Sequence, residues 1–341
     1  MTTTAFRKMR PRGSPRKTDS PGVLGRISRR GGPGAAMAGS LKCSVVIPTY
    51  NRVELLQHTL EAMVGQSLPK DQFEVLVVDD GSTDSTGEMV ETFRSRLNLR
   101  YFHQEDEGYR AAKARNVGIA AADGEITVLI DSGVLAHSNC LRAHLDSHEK
   151  ADGPVAVVGY VYCFNLDNED AAQINQIIDV KDPDGTIAYL DEKGSWLDVR
   201  EIFYGMYGDD FGGLPAPWLN YWTCNVSART AQLRGIGMFD EEFKRWGGED
   251  VDLGYRLHRD GAHFVLNRKA AAIHCPHEKS FDGNNEQAAS NYEYMAAKYR
   301  TPIVDLLPRI GELNYWELNN LIREWNLPLC ADYLAASGRE A

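Results

Sequence analysis

Short apolar runs alternate with amphipathic stretches along the chain from residue 42 to residue 164. Continuous apolar runs bounded by turn residues predict buried strands, whereas apolar residues that recur every three or four positions predict helices. Such an alternation predicts a largely parallel sheet covered by helices, which is an α/β fold. The expected strands are 44–47, 73–79, 99–103, 126–131 and 155–164, and the expected helices are 53–68, 84–93, 109–122 and 139–150.

The alternation stops between residues 165 and 218, a stretch that is acidic at first and then rich in glycine and aromatic residues. We expect irregular structure there. After this stretch the pattern becomes regular again. It predicts strands near 221–227, 263–266 and 271–275, and helices over about 249–259, 286–300 and 313–325.

The composition is that of an ordinary globular protein, with 43% hydrophobic and 25% charged residues among 341. The longest apolar runs are far too short to span a bilayer, and no N-terminal stretch has the apolar core of a signal peptide. The six cysteines lie far apart without a CxxC pair, which favours buried or free thiols over a disulfide framework or a zinc site. These features predict a cytoplasmic protein without a membrane-spanning segment.

The charge is distributed unevenly. Residues 1–40 hold nine Lys or Arg residues and a single acid, Asp19, whereas the whole chain has a net charge of −11, so the remainder is strongly acidic. The basic stretch is rich in Gly, Pro and Ser and has no hydrophobic period, so we expect a disordered leader. A natural start at Met37 and a functional basic arm are the alternatives. The acidic remainder argues against a nucleic-acid-binding surface.

Polar clusters follow three of the expected strands, at residues 48–52, 79–82 and 131–133. In open α/β sheets, ligands bind beyond the carboxyl ends of the strands. Each cluster alone is typical of an ordinary turn. Three clusters at the ends of separate strands indicate a ligand site at that edge of the sheet.

These clusters, with the sequence around them, resemble the motifs of family 2 glycosyltransferases, which have the GT-A fold. The resemblance covers residues 42–278, and its last stretch is also similar to a C-terminal motif of β-1,4-galactosyltransferases and chondroitin-type polymerases. It implies a mixed, mostly parallel sheet flanked by helices. The matching stretches are SVVIPTYNR (44–52), VLVVDDGSTDST (75–86), ARNVGIAAADGE (114–125), VLID (128–131) and FDEEFKRWGGEDVDLGYRLHRDG (239–261).

The resemblance implies a nucleotide-sugar site at the strand ends. A diphosphate requires cations and hydrogen-bond donors, and the helix near residues 110–116 concentrates them within an acidic body. The alternative for that helix is a solvated charged face. The implied nucleotide-sugar residues are Pro48, Thr49, Tyr50, Arg52, Asp80, Arg110, Lys113, Arg115, Asn116 and Asp131.

A metal site is implied at Asp131, which matches the first carboxylate of the family's DxD motif. Ser132 and Gly133 stand where the later aspartate is expected, and this loss weakens a site for a hard cation. His274 matches a metal-binding histidine of related transferases, and His277 is a less suitable substitute. Asp131 and His274, with diphosphate oxygens and water, could hold Mn²⁺ or Mg²⁺. A metal-independent transferase is the alternative.

The WGGED stretch at 246–250 is the expected reaction centre. Inverting transfer needs a carboxylate that accepts the proton of the acceptor hydroxyl. Two glycines allow the backbone to approach the sugar, and the acids then begin a helix whose dipole favours anions. By resemblance, Asp250 is the general base. The implied acceptor contacts are Trp246, Gly248, Glu249, Trp222 and Asn225, the last within a CNVS strand similar to the family's GN.S strand.

The predicted protein is therefore an inverting, hexosyltransferase-type enzyme that uses a nucleotide-diphosphate sugar, UDP-linked, and a saccharide or small-molecule hydroxyl acceptor. A catalytically inactive GT-A domain that binds nucleotide sugars or acts as a scaffold is the alternative from another class. The expected organisation is a leader over 1–40, a glycosyltransferase domain over 41–285 and a helical extension over 286–341. Within the domain, 41–150 would form the nucleotide-sugar half and 151–285 the acceptor half.

Overall fold

Apolar, mostly β-branched residues form the strands of the first half of the sheet. The computed structural model describes residues 41–164, 168–277 and 281–338, so the expected leader lies outside the described residues. The first elements are β1 (Cys43–Thr49), α1 (Val53–Val64), β2 (Phe73–Asp79), α2 (Thr86–Glu91), β3 (Leu99–His103), α3 (Ala111–Ala121) and β4 (Ile126–Ile130). β1 pairs in parallel with both β2 and β4, and β2 pairs in parallel with β3.

Successive residues of the central strands face two different apolar clusters. Val45 and Ile47 of β1 pack in one cluster, while Val46 packs in the other. This alternation follows from the two-residue period of a strand, and it shows that helices cover the sheet on both faces. The continuous apolar runs in the sequence are therefore explained by burial on both sides.

The second half makes the sheet mixed. It contains β5 (Val134–Ala136), α4 (Cys140–Lys150), β6 (Val155–Tyr162), β7 (Asn225–Arg229) and β8 (His263–His274). The strand order is β3-β2-β1-β4-β7-β6-β8-β5, with β7 antiparallel to β4 and β6, and β5 antiparallel to β8. β6 and β8 are parallel. This arrangement confirms the mixed, mostly parallel α/β sheet that the sequence predicts.

The expected pair of strands near 263–275 is a single strand with a bulge. The register of β6 against β8 moves from Gly159–Asn267 directly to Tyr160–Ala271, so residues 268–270 have no partner in that register. The polar residues at 267–269 lie at this bulge, which is why the sequence pattern breaks there.

The prediction of irregular structure at 165–218 is wrong for much of that stretch. The chain forms α5 (Asn168–Ile174), α6 (Pro183–Lys193), α7 (Glu201–Tyr207) and a short 3₁₀ helix, Pro217–Asn220. The boundaries of α6 have ordinary signals. Asp182 accepts a hydrogen bond from the Gly185 N–H at 2.9 Å, Pro183 begins the helix, and Gly194 ends it in the left-handed conformation. The glycine and aromatic content concealed these signals.

The C-terminal segment packs in the same apolar cluster as the sheet. Its elements are α8 (Thr230–Gly235), α9 (Glu249–Arg259), α10 (Phe281–Tyr299), α11 (Leu318–Glu324) and α12 (Cys330–Ala336), with 3₁₀ helices Val304–Arg309 and Tyr315–Glu317. The Asn319 side chain accepts from the Ala216 N–H at 2.8 Å, and the rings of Tyr255 and Tyr299 are 4.2 Å apart. The described part of the chain has no helix with the length and apolarity needed to cross a membrane.

Two buried histidines of α4 bind β7 from one face of the sheet. His144 lies within hydrogen-bond distance of Ser227 (2.9 Å) and Asn225 (3.0 Å), and His148 lies 2.9 Å from the same Ser227 oxygen. Burial lowers the pKa of His144 to about 4 and that of His148 to about 3. Both rings are therefore neutral in the folded protein near neutral pH.

The His148→Gln variant is expected to have a weaker pH dependence of stability. Below about pH 6.5 the unfolded chain binds a proton at this position before the folded chain does, so the native free energy of unfolding falls as pH falls. Between pH 7 and pH 5 this loss is about 2 kcal/mol for one such histidine. Urea unfolding at the two pH values measures it, with exposed His103→Gln as the matched control. Equal pH dependence in the wild type and His148→Gln would contradict the assignment.

Candidate active site

The carboxyl ends of β1 and β2 bring the first two polar clusters together. Thr49 pairs with Asp79, and the Asp80 N–H donates to the Thr49 carbonyl at 2.9 Å. Two hydrogen bonds join the loops beyond these strands. The side-chain oxygen of Asn51 accepts from the Thr83 N–H, and the backbone N–H of Asn51 donates to the Ser82 hydroxyl, both at 2.8 Å. This edge of the sheet therefore carries a polar wall, formed by residues 49–51 and 79–83 and held in place by hydrogen bonds between the two loops.

Asp80 lies within this polar wall, and both of its carboxylate oxygens accept hydrogen bonds. One carboxylate oxygen accepts from the Arg110 N–H at 3.0 Å, and the other accepts from the Gln104 side chain. Burial raises the Asp80 pKa above its ordinary value. The Thr49 hydroxyl beside it is buried and has no hydrogen-bond partner among the described residues. Such an orphaned polar atom fits a site that a hydrogen-bonding ligand completes.

The remaining residues expected around the nucleobase are more exposed. Tyr50 is 45% exposed, and its hydroxyl donates to Asp106 at 2.9 Å. Pro48 is partly buried and Arg52 is exposed. A planar base could stack on the Tyr50 ring without displacing a core residue.

The cations expected for the diphosphate fall into two groups. Arg110 and Lys113 lie at the edge of the site, where both pair with Glu107, at 3.3 and 3.1 Å. Arg115 instead is only 5% exposed, and its guanidinium donates to Asp131 at 2.8 Å and to Glu249 at 3.1 Å. Burial alone would lower the Arg115 pKa, but the two carboxylates outweigh it and raise that pKa.

Two of the predicted contact residues, Asn116 and Asn225, make hydrogen bonds within the protein. The Asn116 amide donates to the Phe239 carbonyl and to Glu241, both at 2.9 Å, and accepts from the Phe239 N–H at 2.8 Å. Asn225 is fully buried and donates to the Ala270 carbonyl at 2.8 Å. Both amides therefore connect neighbouring strands and loops around the site.

The WGGED loop reaches the same edge from the other half of the chain. Gly247 and Gly248 have φ values of +87° and +90°, which side chains other than glycine rarely adopt, and α9 begins directly after them. Glu249 is 5% exposed, and its second carboxylate oxygen is buried without a hydrogen-bond partner in the described part of the chain. The loop thus delivers two carboxylates beside Arg115.

Asp250 is the second of these carboxylates, and its surroundings favour the protonated form. Burial, followed by the negative charge of Glu249, raises its pKa to about 7, and Arg115 opposes this rise. One carboxylate oxygen accepts from the Val251 N–H at 2.8 Å. A carboxylate that is ionised near neutral pH and still basic can accept a proton from a hydroxyl group.

Several aromatic side chains lie in the segments next to the WGGED loop and around Trp222. Trp246 is 42% exposed, whereas Trp222 is partly buried, with its indole N–H donating to the Leu219 carbonyl at 3.0 Å. The ring centroids of Tyr315 and Trp316 lie 6.4 and 6.1 Å from that of Trp222. These faces form a platform of the kind on which sugar rings stack.

Sequence reasoning missed several of these neighbours. The Asp250 charge, after burial as the main cause, raises the pKa values of Tyr109, Tyr292 and Tyr315, so their hydroxyls lie near it. Tyr109 had a signal, since it directly precedes the cationic helix. Tyr292 and Tyr315 had none, because aromatic residues in helical segments are usually core residues.

A buried ion pair lies next to Trp222, and it was not predicted from the sequence. Asp198 and Arg200 are each about 1% exposed in their side chains and lie 2.7 Å apart. Arg200 also donates to the carbonyls of Gly159 and Asn220, and its guanidinium lies 5.4 Å from the Trp222 ring centroid. The pair therefore connects β6 to the loop that carries Trp222.

The two expected metal ligands lie at neighbouring points of this edge. His274 pairs with Val134 in the β5–β8 register, and the Val134 N–H donates to the Asp131 carbonyl at 3.1 Å. The His274 ring packs 4.9 Å from that of Phe164 and 5.2 Å from that of His277. Within the described ranges no three His, Cys, Asp or Glu side chains come together as a complete metal site.

Two family models match consecutive parts of the chain. The model described as glycosyl transferase family 2 matches residues 44–198, and the model described as the N-terminal domain of galactosyltransferase matches residues 210–278. The first covers the strand-end loops, and the second covers the WGGED loop.

Curated relatives match most of this chain. Validoxylamine A glucosyltransferase of Streptomyces hygroscopicus subsp. jinggangensis is 34% identical over 81% of this chain and 64% of that protein. An uncharacterised glycosyltransferase of Bacillus subtilis is 30% identical over 76% of this chain and 71% of that protein. Chondroitin synthase of Escherichia coli is 32% identical over 68% of this chain and 34% of its own length. The chain thus spans less than two thirds of the Streptomyces relative.

Solved structures share the fold at low sequence identity. Staphylococcus aureus TarS 1–349 in complex with UDP-GlcNAc aligns with a TM-score of 0.56 at 22% identity, over 75% of this chain and 65% of that chain. A mannosyltransferase of Pyrobaculum calidifontis in complex with GDP-Man and Mn²⁺ aligns with a TM-score of 0.54 at 20% identity, over 88% and 76%. These likenesses, with the sheet order, confirm the GT-A fold.

Proposed function

The chain belongs to glycosyl transferase family 2, and we propose that it transfers a hexosyl group from a UDP-linked sugar to a hydroxyl acceptor with inversion at the anomeric carbon. The position of Asp250 carries this proposal. Its pKa is raised to about 7, it begins a helix after two left-handed glycines, and Arg115 links its neighbour Glu249 to the strand-end residue Asp131. A base is thereby held against the edge where a nucleotide sugar would bind.

Donor binding is supported by the polar wall at the ends of β1 and β2. Asp80 has both carboxylate oxygens oriented by hydrogen bonds, and the orphaned Thr49 hydroxyl lies next to it. An imide N–H of a uracil-type base is a suitable donor to Asp80. The relatives include a protein named a glucosyltransferase, and a structural neighbour was solved with UDP-GlcNAc. Both favour a UDP-hexose as the donor.

The leaving diphosphate would lie between Asp80 and the reaction centre. Arg110 and Lys113 are the cations that can reach it by exchanging Glu107 for phosphate oxygens. Arg115 acts differently from the sequence expectation, because its guanidinium already binds two carboxylates. We propose that it fixes Asp131 and Glu249 at their positions instead of binding phosphate.

Transfer would proceed as an in-line displacement. The acceptor hydroxyl attacks the anomeric carbon, Asp250 accepts its proton, and the bond to the diphosphate oxygen breaks with its electron pair remaining on UDP. The buried, unpartnered oxygen of Glu249 is placed to accept a hydrogen bond from a second acceptor hydroxyl. Trp246 and Trp222, with Tyr315 and Trp316 beside the latter, would hold the acceptor ring by stacking.

A divalent cation fits this edge only with help from the donor. Asp131 and His274 are the protein ligands that would hold Mn²⁺ or Mg²⁺, and diphosphate oxygens and water would complete the coordination. When bound, the ion would neutralise charge that develops on the leaving diphosphate. A metal-independent reaction, in which Arg110 and Lys113 supply that charge alone, is the second candidate, favoured by Ser132 and Gly133 in the place of a later aspartate.

Release of nucleotide from candidate donors tests the proposal. The chain would be incubated with UDP-glucose, UDP-GlcNAc, UDP-galactose and GDP-mannose, each with a saccharide acceptor panel, and with either Mn²⁺ or EDTA. Release of UDP in the presence of Mn²⁺ alone supports the metal-dependent reaction, and release in EDTA supports the metal-independent one. Binding of UDP without release from any donor would indicate an inactive binding domain and contradict the proposed activity.

The Asp80→Asn variant is expected to bind UDP about 10-fold to 100-fold more weakly than the wild type, because a hydrogen bond to a charged acceptor is replaced by one to a neutral amide. Titration calorimetry with UDP measures the affinity. Asp123→Asn is the matched control, since this exposed aspartate precedes β4 at the opposite edge of the sheet. Unchanged UDP affinity in folded Asp80→Asn would reject this residue as a nucleobase contact.

A further inference from the structure

Side chains of helix α10 form hydrogen bonds with the backbone of the WGGED loop. The side-chain nitrogen of Asn291 lies within hydrogen-bond distance of three successive carbonyl oxygens, those of Arg245 (3.2 Å), Trp246 (3.4 Å) and Gly247 (2.5 Å). One turn earlier on the same helix, the Gln287 side-chain oxygen accepts from the Trp246 N–H at 3.0 Å. Asn291 is 7% exposed, so this contact is shielded from water.

The fit between the loop and the helix is close. A Cβ added to Gly247 would lie 3.1 Å from the Ala288 Cβ, and one added to Gly248 would lie 3.3 Å from the Asn291 Cβ. Residues 287, 288 and 291 share one face of α10 by helical periodicity. A side chain at either position would therefore crowd α10, in addition to straining a backbone with positive φ.

This contact has a chemical reason. A loop with two consecutive left-handed glycines turns its carbonyl groups away from ordinary ladder partners, and buried carbonyls need a donor. A primary amide supplies two N–H groups to them from a single rigid side chain. Hydrocarbon at this position would leave several carbonyls unsatisfied.

We propose that Asn291 is a positioning residue, which holds the backbone of residues 245–247 and thereby fixes the direction in which the Asp250 carboxylate enters the active site. α10 lies beyond residue 278, outside both segments that the family models match. The role of Asp250 as a base rests on the proposed function, whereas the holding of the loop does not.

The test uses the full chain with Asn291→Leu, which keeps the branched shape at Cγ and removes both donors, and Gln287→Ala, which removes one acceptor. Hydrogen exchange followed by mass spectrometry is expected to show amides of residues 246–250 exchanging about 10-fold faster in Asn291→Leu, the factor for one lost hydrogen bond. Gln287→Ala removes the acceptor of the Trp246 N–H, so it should speed exchange of the Trp246 amide directly and change the amides of residues 247–250 by a smaller factor than Asn291→Leu does. Asn320→Leu, the same change at an exposed site on α11, should leave them unchanged.

A second measurement separates positioning from simple structural support. The titration of the Asp250 carboxyl carbon, followed by NMR and assigned with Asp250→Asn, is expected to have a lower midpoint in Asn291→Leu than in the wild type, because a loosened loop admits water and reduces the desolvation that raises this pKa. Turnover of the best UDP-sugar donor should fall about 10-fold to 100-fold with the donor KM nearly unchanged.

The outcomes separate the two proposals. Faster exchange with an unchanged Asp250 titration and unchanged turnover would overturn the positioning role, and so would unchanged exchange. If the wild type turns over no donor, the proposed function fails, and the exchange and titration still decide whether Asn291 positions Asp250. If Asn291→Leu does not fold, Asn291→Ala, which removes the same two donors without adding volume, decides on the same readouts.

Discussion

Asp250→Asn is expected to lower sugar transfer about 10²-fold to 10⁴-fold, the contribution of a positioned general base. The amide keeps the shape of the side chain and removes its basicity. UDP affinity should stay nearly unchanged, because Asp80 and Thr49, the proposed nucleobase contacts, belong to other loops. Steady-state turnover and calorimetry on the same preparation separate the two effects.

Glu249→Gln provides the contrasting variant. The glutamine side chain has one oxygen in place of the two carboxylate oxygens of Glu249, so it can no longer accept hydrogen bonds at both places. The variant should therefore mainly raise the KM for the acceptor, while the proposed base Asp250 remains. The pH profile gives a further check, since wild-type transfer requires ionised Asp250 and should fall as pH drops below its pKa of about 7. Near-normal turnover in Asp250→Asn, together with inactive Glu249→Gln, would reverse the two roles.

The first half of the fold could be predicted because its signals are local. The apolar runs of β1, β2 and β4 are buried on both faces, and polar clusters follow directly at their ends. A parallel sheet brings such ends to one edge, so sequence order translates into proximity. The same logic groups Asp80 and Asp131 at one edge, whereas the WGGED loop is assigned to that edge by the family resemblance alone.

The roles of individual polar side chains could not be predicted in the same way. Arg115 and Asn116 stand beside each other in a family motif, yet one binds Asp131 and Glu249, and the other binds residues 239–241. Of these partners only Asp131 is near in the chain, 16 residues from Arg115, whereas Glu249 and residues 239–241 are more than a hundred residues away. A motif gives the position of a backbone segment, whereas the direction of each side chain depends on what the rest of the fold packs against it.

The contribution of the C-terminal segment was hidden for a similar reason. Asn291 and Tyr315 occupy helical stretches whose pattern indicates only that one face is buried. Their contacts with the WGGED loop and with Trp222 join segments 40 or more residues apart, and no local pattern records them. The expected division at residue 285 separates in sequence what the structure joins around the reaction centre.

Arg115→Met is expected to destabilise the protein by about 3–5 kcal/mol, the usual consequence of removing one partner from a buried ion pair. The guanidinium is 5% exposed and binds two carboxylates, of which Glu249 is itself 5% exposed, so its loss leaves a buried negative charge without compensation. Urea unfolding measures the free-energy change. Arg94→Met, which removes an exposed ion pair with Glu91, is the matched control and should change stability by less than about 1 kcal/mol.

The same variant tests the electrostatics of the reaction centre. Arg115 lowers the pKa of Asp250 against the effects of burial and Glu249, so removing its charge should raise that pKa and move the acidic limb of the pH profile upward. Arg115→Lys keeps a charge but loses the planar fork that reaches both carboxylates, and its effects on stability and on the pH profile should lie between those of Met and the wild type. A large loss of stability in Arg115→Met with an unmoved pH profile would show that the guanidinium holds Asp131 and Glu249 in place without setting the charge on the base.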